Sequence, residues 1–527
     1  MRNATVRGRG WASGLRRRIL ARTNMPPTRV ERRDFVRWCG AAALLAASRS
    51  AAPLAQAQQE ERGQPRKVAS RTVLQDLGVW VAAMRYEDLP PATVKKAKYL
   101  LLDTLGCAIG AVDGGPVRIA QRVVSARGGN PQASVIGAGW KTSCDEAAFL
   151  NAMAIRYLDF NDYAAFGFPH HPSINLAPAL AIAEMRNLSG RDLLLGFTVG
   201  YEVQVKVRDA SEGGRRGFDL PSLEAQYSSA ATAARLLGLD APAVANAVAI
   251  AASFANTLSE VRSGGELSNA KGTAEALAAR NGTFAALLAQ GGVQYPLTVV
   301  DGESGYGKVV NGGVKEEVLR SRSGDHQILK SCTKMWPSIG TSQAPIAAAL
   351  QIRARGVKAD DVRRLTLHLS DFGYTQQQGF LGEINTREHA DHSAPYLVAR
   401  AFIDGDVRID DFEERRFRDP KPLAFIERIT MVSDPALTTS GGDVLGARME
   451  VTLNDGSVRK ADVPYPPGSY QNPATDEQIQ HKFLALSERI LGQTGARRAM
   501  EAILTVDTNA HLTDLINAVA PAKGGAA

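Results

Sequence analysis

The sequence predicts a mainly α-helical protein with a smaller mixed α+β part. Between residues 90 and 290, apolar residues recur at intervals of three and four, as on one face of a helix. The predicted helices cover residues 90–111, 144–158, 173–187, 190–207, 224–237, 241–258 and 272–290. From about residue 330 the pattern changes to alternating runs that are typical of strands, and helical patterns return between about 475 and 520.

The helical stretches carry the end signals and the composition of buried helices. The stretch 90–111 has Pro91 just inside its start and Gly110 near its end, positions that these residues favour. The stretch 241–258 has no charged residue, but it mixes Ala with Asn and Ser. We therefore predict a tightly packed interior helix there rather than a membrane span.

Three later stretches predict strands. Residues 362–370 alternate as a half-buried strand does, and residues 423–434 are a second extended candidate. In the stretch 447–463, Asn454-Asp455-Gly456 lies between two alternating runs, which predicts a hairpin.

The first 57 residues predict an export signal. The stretch "ERRDFVRW" (31–38) resembles a twin-arginine signal, and the apolar run "CGAAALLAAS" (39–48) is too short to cross a bilayer. Small residues at 55–57 suit a cleavage site. We expect a signal peptide over 1–57 that engages the twin-arginine export machinery, a loose linker over 58–70, and a periplasmic mature protein without a membrane span.

The charge distribution argues against nucleic-acid binding. Residues 1–57 carry a net charge of +10, whereas the whole chain carries +8, so the remaining chain carries −2. The basic excess therefore belongs to the leader, and the rest of the chain lacks the net positive charge that is typical of nucleic-acid-binding proteins.

The sequence also lacks the familiar catalytic and metal-binding motifs. It contains no GxSxG, HExxH, P-loop or complete GxGxxG pattern. Cys39 lies in the leader, and Cys107, Cys144 and Cys332 are too widely spaced for a metal pair or an iron–sulfur cluster. We expect the latter three to be small buried hydrophobic residues.

One stretch, "YLDFNDYAAFGFPHHPSINLAPALAIAE" (157–184), combines acids and histidines around a turn. If Pro172 begins a helix, His171 lies at its N-terminus, which favours an anion, and Asp159 ends the preceding helix. An anionic substrate then fits between an Asp base and a His donor. The alternative from the residues alone is a helix-capping cluster with a solvated histidine.

The same stretch resembles the "DFDD…HPS" signature of the MmgE/PrpD family. Further motifs of that family follow in order, including "LLDTLGCAIGA" (101–111), "NAKGTAEALAARNG" (269–282), "LKSCTKMWPSIG" (329–340) and "DHSAPYLVARAFIDGDV" (391–407). The resemblance is collinear from about residue 71 to residue 515.

The resemblance implies a large all-helical domain, formed by 71–329 and 474–520, and a smaller α+β lid domain over 330–473. It implies a homodimer with an active site between the domains that needs no metal or other cofactor. The family's catalytic residues correspond to Asp159, His171, Lys271 and Lys334. The family's histidine–tyrosine segment of the lid corresponds to His392 and Tyr396, and we predict that both bind the substrate. We predict the same role for Asp162, Tyr163 and His170, which lie in the stretch 157–184.

The chain departs from the family pattern at several of these positions. Asn161 stands at the second acid position, Tyr163 where the family often has Thr, and Ile339 where several relatives have His. Asp219 also stands where relatives carry His. The pocket therefore differs from that of the decarboxylase and the methylcitrate enzyme.

These observations lead to one main functional hypothesis and two alternatives. The main one is a cofactor-independent lyase, a dehydratase of a small polycarboxylate that removes a proton next to a carboxylate and eliminates water. The lysines neutralise charge, and either Asp159 or His171 is the base. The alternatives are an isomerase or epimerase of an acidic substrate, and an exported binding protein without turnover.

Overall fold

The computed structural model describes residues 71–164, 170–213, 217–254, 257–263, 267–269, 271–322, 326–438 and 445–521. The predicted signal peptide (1–57) and linker (58–70) lie outside the described residues.

Helices build the first part of the structure around one hydrophobic core. They are α1 (Val73–Ala83), α2 (Pro91–Gly110), α3 (Gly115–Arg127), α4 (Cys144–Tyr157), α5 (Leu176–Met185), α6 (Gly190–Ala210), α7 (Leu220–Leu236), α8 (Ala241–Phe254), α9 (Glu260–Ser263), α10 (Lys271–Gln290), α11 (Tyr306–Val309) and α12 (Glu316–Arg320). The alanine-rich α7 packs against α6, α8 and α10, and α10 also packs on α4. The C-terminal helices α19 (Asp476–Leu504) and α20 (Thr513–Val519) join the same core, and α19 lies along α2.

A four-stranded sheet and six further helices form a second hydrophobic core. The strands are β5 (Val362–Leu369), β6 (Ile429–Ser433), β7 (Ala447–Leu453) and β8 (Val458–Val463), in the order β6-β5-β7-β8. Strand β5 is parallel to β6 and antiparallel to β7. The helices are α13 (Gln343–Ala354), α14 (Asp371–Gln378), α15 (Arg387–Ala390), α16 (Ala394–Asp404), α17 (Glu414–Phe417) and α18 (Pro420–Ile426).

Two short ladders complete the described strands. Strand β1 (Ala133–Ser134) pairs with β2 (Lys141–Thr142). Strand β3 (Tyr163–Ala164) pairs antiparallel with β4 (Ser331–Cys332), and this second ladder joins chain segments that are far apart in sequence.

The observed elements confirm the predicted fold class. Every predicted helix before residue 291 is present, and 241–254 is an interior helix whose apolar residues are mostly buried. The hairpin is confirmed, with Gly456 in the left-handed conformation that the turn requires (φ 83°). The two cores are separate, but the described part of 71–521 forms one compact unit, so the predicted domain boundaries stay a prediction.

One strand prediction is wrong in its first half. Residues 423–426 of the stretch 423–434 belong to α18 (Pro420–Ile426), and only 429–433 are extended. Pro420 occupies the first helical turn and the Asp419 side chain accepts from the Lys421 backbone amide, so a capped helix start outweighs the apolar run.

Two further observations concern cysteines and membrane spans. Cys107, Cys144 and Cys332 are buried, as expected, and no disulfide joins them. Within the described residues, no single helix is long and apolar enough to cross a membrane. The bent pair α2 and α3, at 83°, meets that criterion by length and composition only.

Candidate active site

The β3–β4 ladder brings together the two chain segments that carry Asp159 and Lys334. Asp159 follows the end of α4 with a positive φ of 48°, a conformation that non-glycine residues adopt rarely and often at functional sites. The Lys334 ammonium donates to Asp159 Oδ1 at 3.0 Å and to the Asp159 carbonyl at 2.8 Å. The ladder and this lysine therefore fix the position of the carboxylate.

Lys482, on α19, supports both segments from behind. Its Nζ donates to the carbonyl of Phe160 at 2.7 Å and to that of Lys334 at 3.0 Å. It also pairs with Asp103 Oδ1, from α2, at 2.6 Å. Helix α19 thus anchors the backbone at Phe160, directly after Asp159, and at Lys334.

Asp159 is buried among cations. Besides Lys334, Lys271 Nζ lies 3.1 Å from Oδ2 and Arg156 Nη1 lies 3.2 Å from Oδ1. Burial on its own raises the pKa of Asp159, but Lys271, Lys334 and Arg156 outweigh it and hold the pKa well below its ordinary value. Asp159 is therefore an ionised carboxylate at neutral pH.

His171 forms a pair with Glu275 of α10. Its Nδ1 lies 3.0 Å from Glu275 Oε1, and Arg156 and Arg262 bind the same carboxylate. Burial raises the pKa of Glu275, but the two arginines hold it well below its ordinary value, so Glu275 is ionised and only accepts. Nδ1 therefore carries the proton, and Nε2 keeps its lone pair.

Burial also keeps the His171 ring neutral. The loss of solvation, together with nearby Arg156, lowers the pKa of His171 to about 3 despite Glu275. At neutral pH this ring accepts a proton through Nε2 rather than donating one.

A second histidine pair lies beside Lys271. The Nζ atom of Lys271 lies 2.5 Å from His392 Nε2, and His392 Nδ1 binds the Asp391 carboxylate. An ammonium group only donates, so Nε2 accepts and Nδ1 donates to Asp391. Burial and Lys271 lower the pKa of His392. The chain Asp391–His392–Lys271–Asp159 is thus a continuous hydrogen-bonded and ionic path.

One group of side chains in the described residues has the spacing of metal ligands. Asp159, Asp391 and His392 offer ligand atoms within 4.8 Å of one another. The Lys271 ammonium, however, contacts both Asp159 and His392. Since a cation already occupies this position, the geometry fits an internal ammonium better than a metal ion.

These residues surround a cavity of about 410 Å³. Of the described residues, its acidic, basic and histidine lining consists of Asp159, His171, Arg262, Lys271, Lys334 and His392. With both rings neutral, this lining has three positive charges and one negative charge. The acids Asp219, Glu275 and Asp391 do not line the cavity. The surface that a ligand contacts is therefore cationic and suits a molecule with more than one carboxylate.

The structure places six of the nine predicted site residues at the cavity. The four predicted catalytic residues line it together with Tyr163 and His392. They arrive from β3, α10 and the turns after α4, β4 and α15, so the sequence motifs of distant segments converge on one site.

Three predicted substrate-binding residues do not line the cavity and are buried instead. Asp162 accepts from Tyr201 at 2.6 Å, and burial raises its pKa to about 6. His170 pairs with buried Glu224, and burial with nearby Arg208 lowers the pKa of His170 well below its ordinary value.

The third of these is Tyr396. It donates to the Asp411 carbonyl at 2.5 Å within the second core. It and the other two are buried against protein groups, and their role in substrate binding stays a prediction.

The positions that depart from the family pattern lie at or next to the cavity. Tyr163 and Ile339 are lining residues. Asp219 holds Arg262 Nε at 2.8 Å, and Asn161 accepts from Arg156 Nη1 at 2.5 Å. Each of these four residues thus either lines the cavity or binds an arginine beside it.

From the sequence we did not identify Glu275, Arg262 or the cavity wall that Phe372, Thr375 and Gln376 of α14 form. Glu275 follows Lys271 by four residues in a helical motif, so the two share a helix face, and that spacing is a signal. Arg262 and α14 carry no comparable signal, because their position depends on the packing of the two cores.

Comparison with known proteins is consistent with this site. The family models of the MmgE/PrpD N-terminal domain and C-terminal domain match residues 75–318 and 336–508. The chain is 26% identical to a cis-aconitate decarboxylase-like protein of Aspergillus oryzae, over 84% of this chain and 96% of that protein. It is 26% identical to the cis-aconitate decarboxylase of Homo sapiens, over 80% of this chain and 89% of the relative.

A dehydratase is among the relatives as well. The chain is 28% identical to the 2-methylcitrate dehydratase of Salmonella typhi, over 71% of this chain and 81% of that enzyme. Decarboxylases and dehydratases are both lyases, so the relatives support a lyase-like role. The two domain matches together cover most of the sequence, and the chain therefore belongs to the MmgE/PrpD family.

Proposed function

We propose that this protein is a lyase that eliminates water from a small polycarboxylate after removing a proton next to a carboxylate. The observation that carries the proposal is the cavity lining. Three cations, Arg262, Lys271 and Lys334, line the cavity. Two neutral histidines, His171 and His392, lie among them, and each is bound to a carboxylate.

The cations suit the charge that such a reaction creates. Removing a proton from a carbon next to a carboxylate produces an enediolate-like dianion. Lys271 and Lys334, held by Asp159, are positioned before the reaction begins and stabilise negative charge in a site of low polarity. Arg262, fixed by Asp219 and Glu275, is suited to bind a second carboxylate.

We assign proton removal to His171. Nε2 has the free lone pair, and Glu275 stabilises the imidazolium that forms when the ring accepts the proton. Asp159 is the less suitable base because both of its carboxylate oxygens are already engaged by Arg156, Lys271 and Lys334. Its role is to hold the two lysines.

The departing hydroxyl requires a proton from another group. Ionised Asp159 has none to give, whereas Lys271 is an ammonium in contact with His392. Lys271 therefore protonates the leaving hydroxyl, and the Asp391–His392 pair stabilises the neutral amine that remains.

The second histidine pair also supports an alternative function. An epimerase needs two groups that exchange protons with one carbon, and His171 and His392 are two such groups in one cavity. Product analysis separates the two functions, because elimination creates an alkene and epimerisation does not.

The test uses a panel of hydroxy-di- and tricarboxylates in deuterated water, followed by proton NMR. A new alkene signal that is lost in Asp159→Asn and kept in the surface control Asp514→Asn supports the lyase. Deuterium uptake without an alkene supports the epimerase. No reaction, together with thermal stabilisation by panel members, supports a binding protein and contradicts the proposal.

Two properties of the whole protein remain predictions. They are export to the periplasm by the twin-arginine route and assembly as a homodimer. Fractionation of cells that express the full chain, and the solution mass of the mature protein, test them.

A further inference from the structure

The cavity has an apolar side that the proposed reaction does not use. Tyr163, Pro221, Ile339, Phe372 and Phe380 line it together with the charged groups. Ile339 and Phe372 are only half-buried in the protein, and both contribute apolar surface to the cavity. A ligand that consists of carboxylates and hydroxyls alone leaves this surface against water.

Helix α14 and the two residues that follow it supply one wall of the cavity. Phe372, Thr375 and Gln376 of α14, and then Gly379 and Phe380, line the cavity. Thr375 and Gln376 follow Phe372 by three and four residues, which places the three on one face of α14, and Gly379 and Phe380 come directly after the helix end. The α14 face is therefore a wall of the cavity and not an incidental contact.

The wall is fixed relative to the catalytic groups. Gln377, also of α14, donates through Nε2 to the His392 carbonyl at 3.0 Å and accepts from the Ala394 amide at 2.8 Å. The rings of Phe380 and His392 meet edge to face, with centroids 5.1 Å apart.

Ile339 is held in the same way. Its backbone amide donates to the Asp391 carbonyl at 3.1 Å. The apolar wall is thus preformed beside the Asp391–His392 pair, and a ligand does not have to order it on binding.

We infer that the substrate is a dicarboxylate that bears an apolar or aromatic substituent, which packs against Phe372, Phe380 and Ile339 while its carboxylates bind Arg262 and the two lysines. The inference rests on the proposed function of the same site. The cavity volume of about 410 Å³ lies in the range of pockets that enclose ligands with a ring as well as polar groups.

The test compares two dianions of the same charge, succinate and 2-phenylsuccinate, by isothermal titration calorimetry. Burial of a phenyl group favours 2-phenylsuccinate, and we expect it to bind about ten- to a hundredfold more tightly. Phe372→Ala and Ile339→Asn should each reduce this ratio about three- to tenfold. Phe284→Ala, an exposed residue of α10 outside the lining, should leave it unchanged.

The ratio of two affinities within each variant cancels general effects on folding. Equal affinities in the wild type, or a ratio that Phe372→Ala and Ile339→Asn both leave intact, overturn the inference while the lyase proposal stands. A phenyl preference without turnover of any carboxylate supports the inference and contradicts the lyase. If neither dianion binds, the inference is wrong.

Discussion

Replacing His171 with Gln should make the protein less sensitive to mild acid. Burial lowers the pKa of His171 from 6.5 to about 3, so between these values the unfolded chain binds a proton that the folded protein does not. The free energy of unfolding therefore falls as the pH falls through this window. Since one pKa unit corresponds to about 1.4 kcal/mol, His171 contributes a loss of roughly 2 kcal/mol between pH 6.5 and pH 5.

The assay is urea unfolding of the wild type and His171→Gln at pH 7.0, 6.5, 6.0, 5.5 and 5.0. Other groups titrate in both proteins, so the difference in slope isolates His171. His511→Gln is the matched control, because His511 is exposed. A wild-type slope that His171→Gln retains would refute the reasoning, since it would mean that His171 is protonated normally in the folded protein.

Two further predictions concern the groups behind the cavity. Lys482→Met should lower the free energy of unfolding by about 3–5 kcal/mol, because buried Asp103 loses its cation. Adding Asp103→Asn to this variant should restore much of the lost stability. A loss below about 1 kcal/mol for Lys482→Met in urea unfolding would contradict this reasoning. Glu275→Gln should lower kcat by about 10²–10⁴ through loss of the stabilised imidazolium, without raising KM for an anionic substrate, because the site becomes more positive. A raised KM at unchanged kcat would mean that Glu275 only shapes the binding site.

The fold and much of the site were predictable because they rest on local patterns. Apolar periodicity determines where the helices lie, and Asn454-Asp455-Gly456 determines the hairpin, since both act through neighbouring residues. Asp159, His171, Lys271 and Lys334, which line the cavity, could be singled out because each lies in a motif with a recognisable sequence.

The remaining features depend on contacts between distant segments. Asp162 and His170 have the same residue types as the true lining residues, and only the packing of Tyr201 and Glu224 against them shows that they face the protein. Helix α14 is held beside the cavity by Gln377, whose side chain donates to the His392 carbonyl. No periodicity within α14 indicates that partner.

The most direct test of the assigned base is the exchange of a substrate proton with solvent. The substrate found in the panel is incubated in deuterated water near neutral pH with wild type or His171→Gln, and deuterium at the carbon next to the carboxylate is followed by NMR. The assignment predicts that His171→Gln slows exchange by about 10²–10⁴ while the substrate still binds. Exchange at the wild-type rate in His171→Gln, with the protein folded, would show that another group removes the proton.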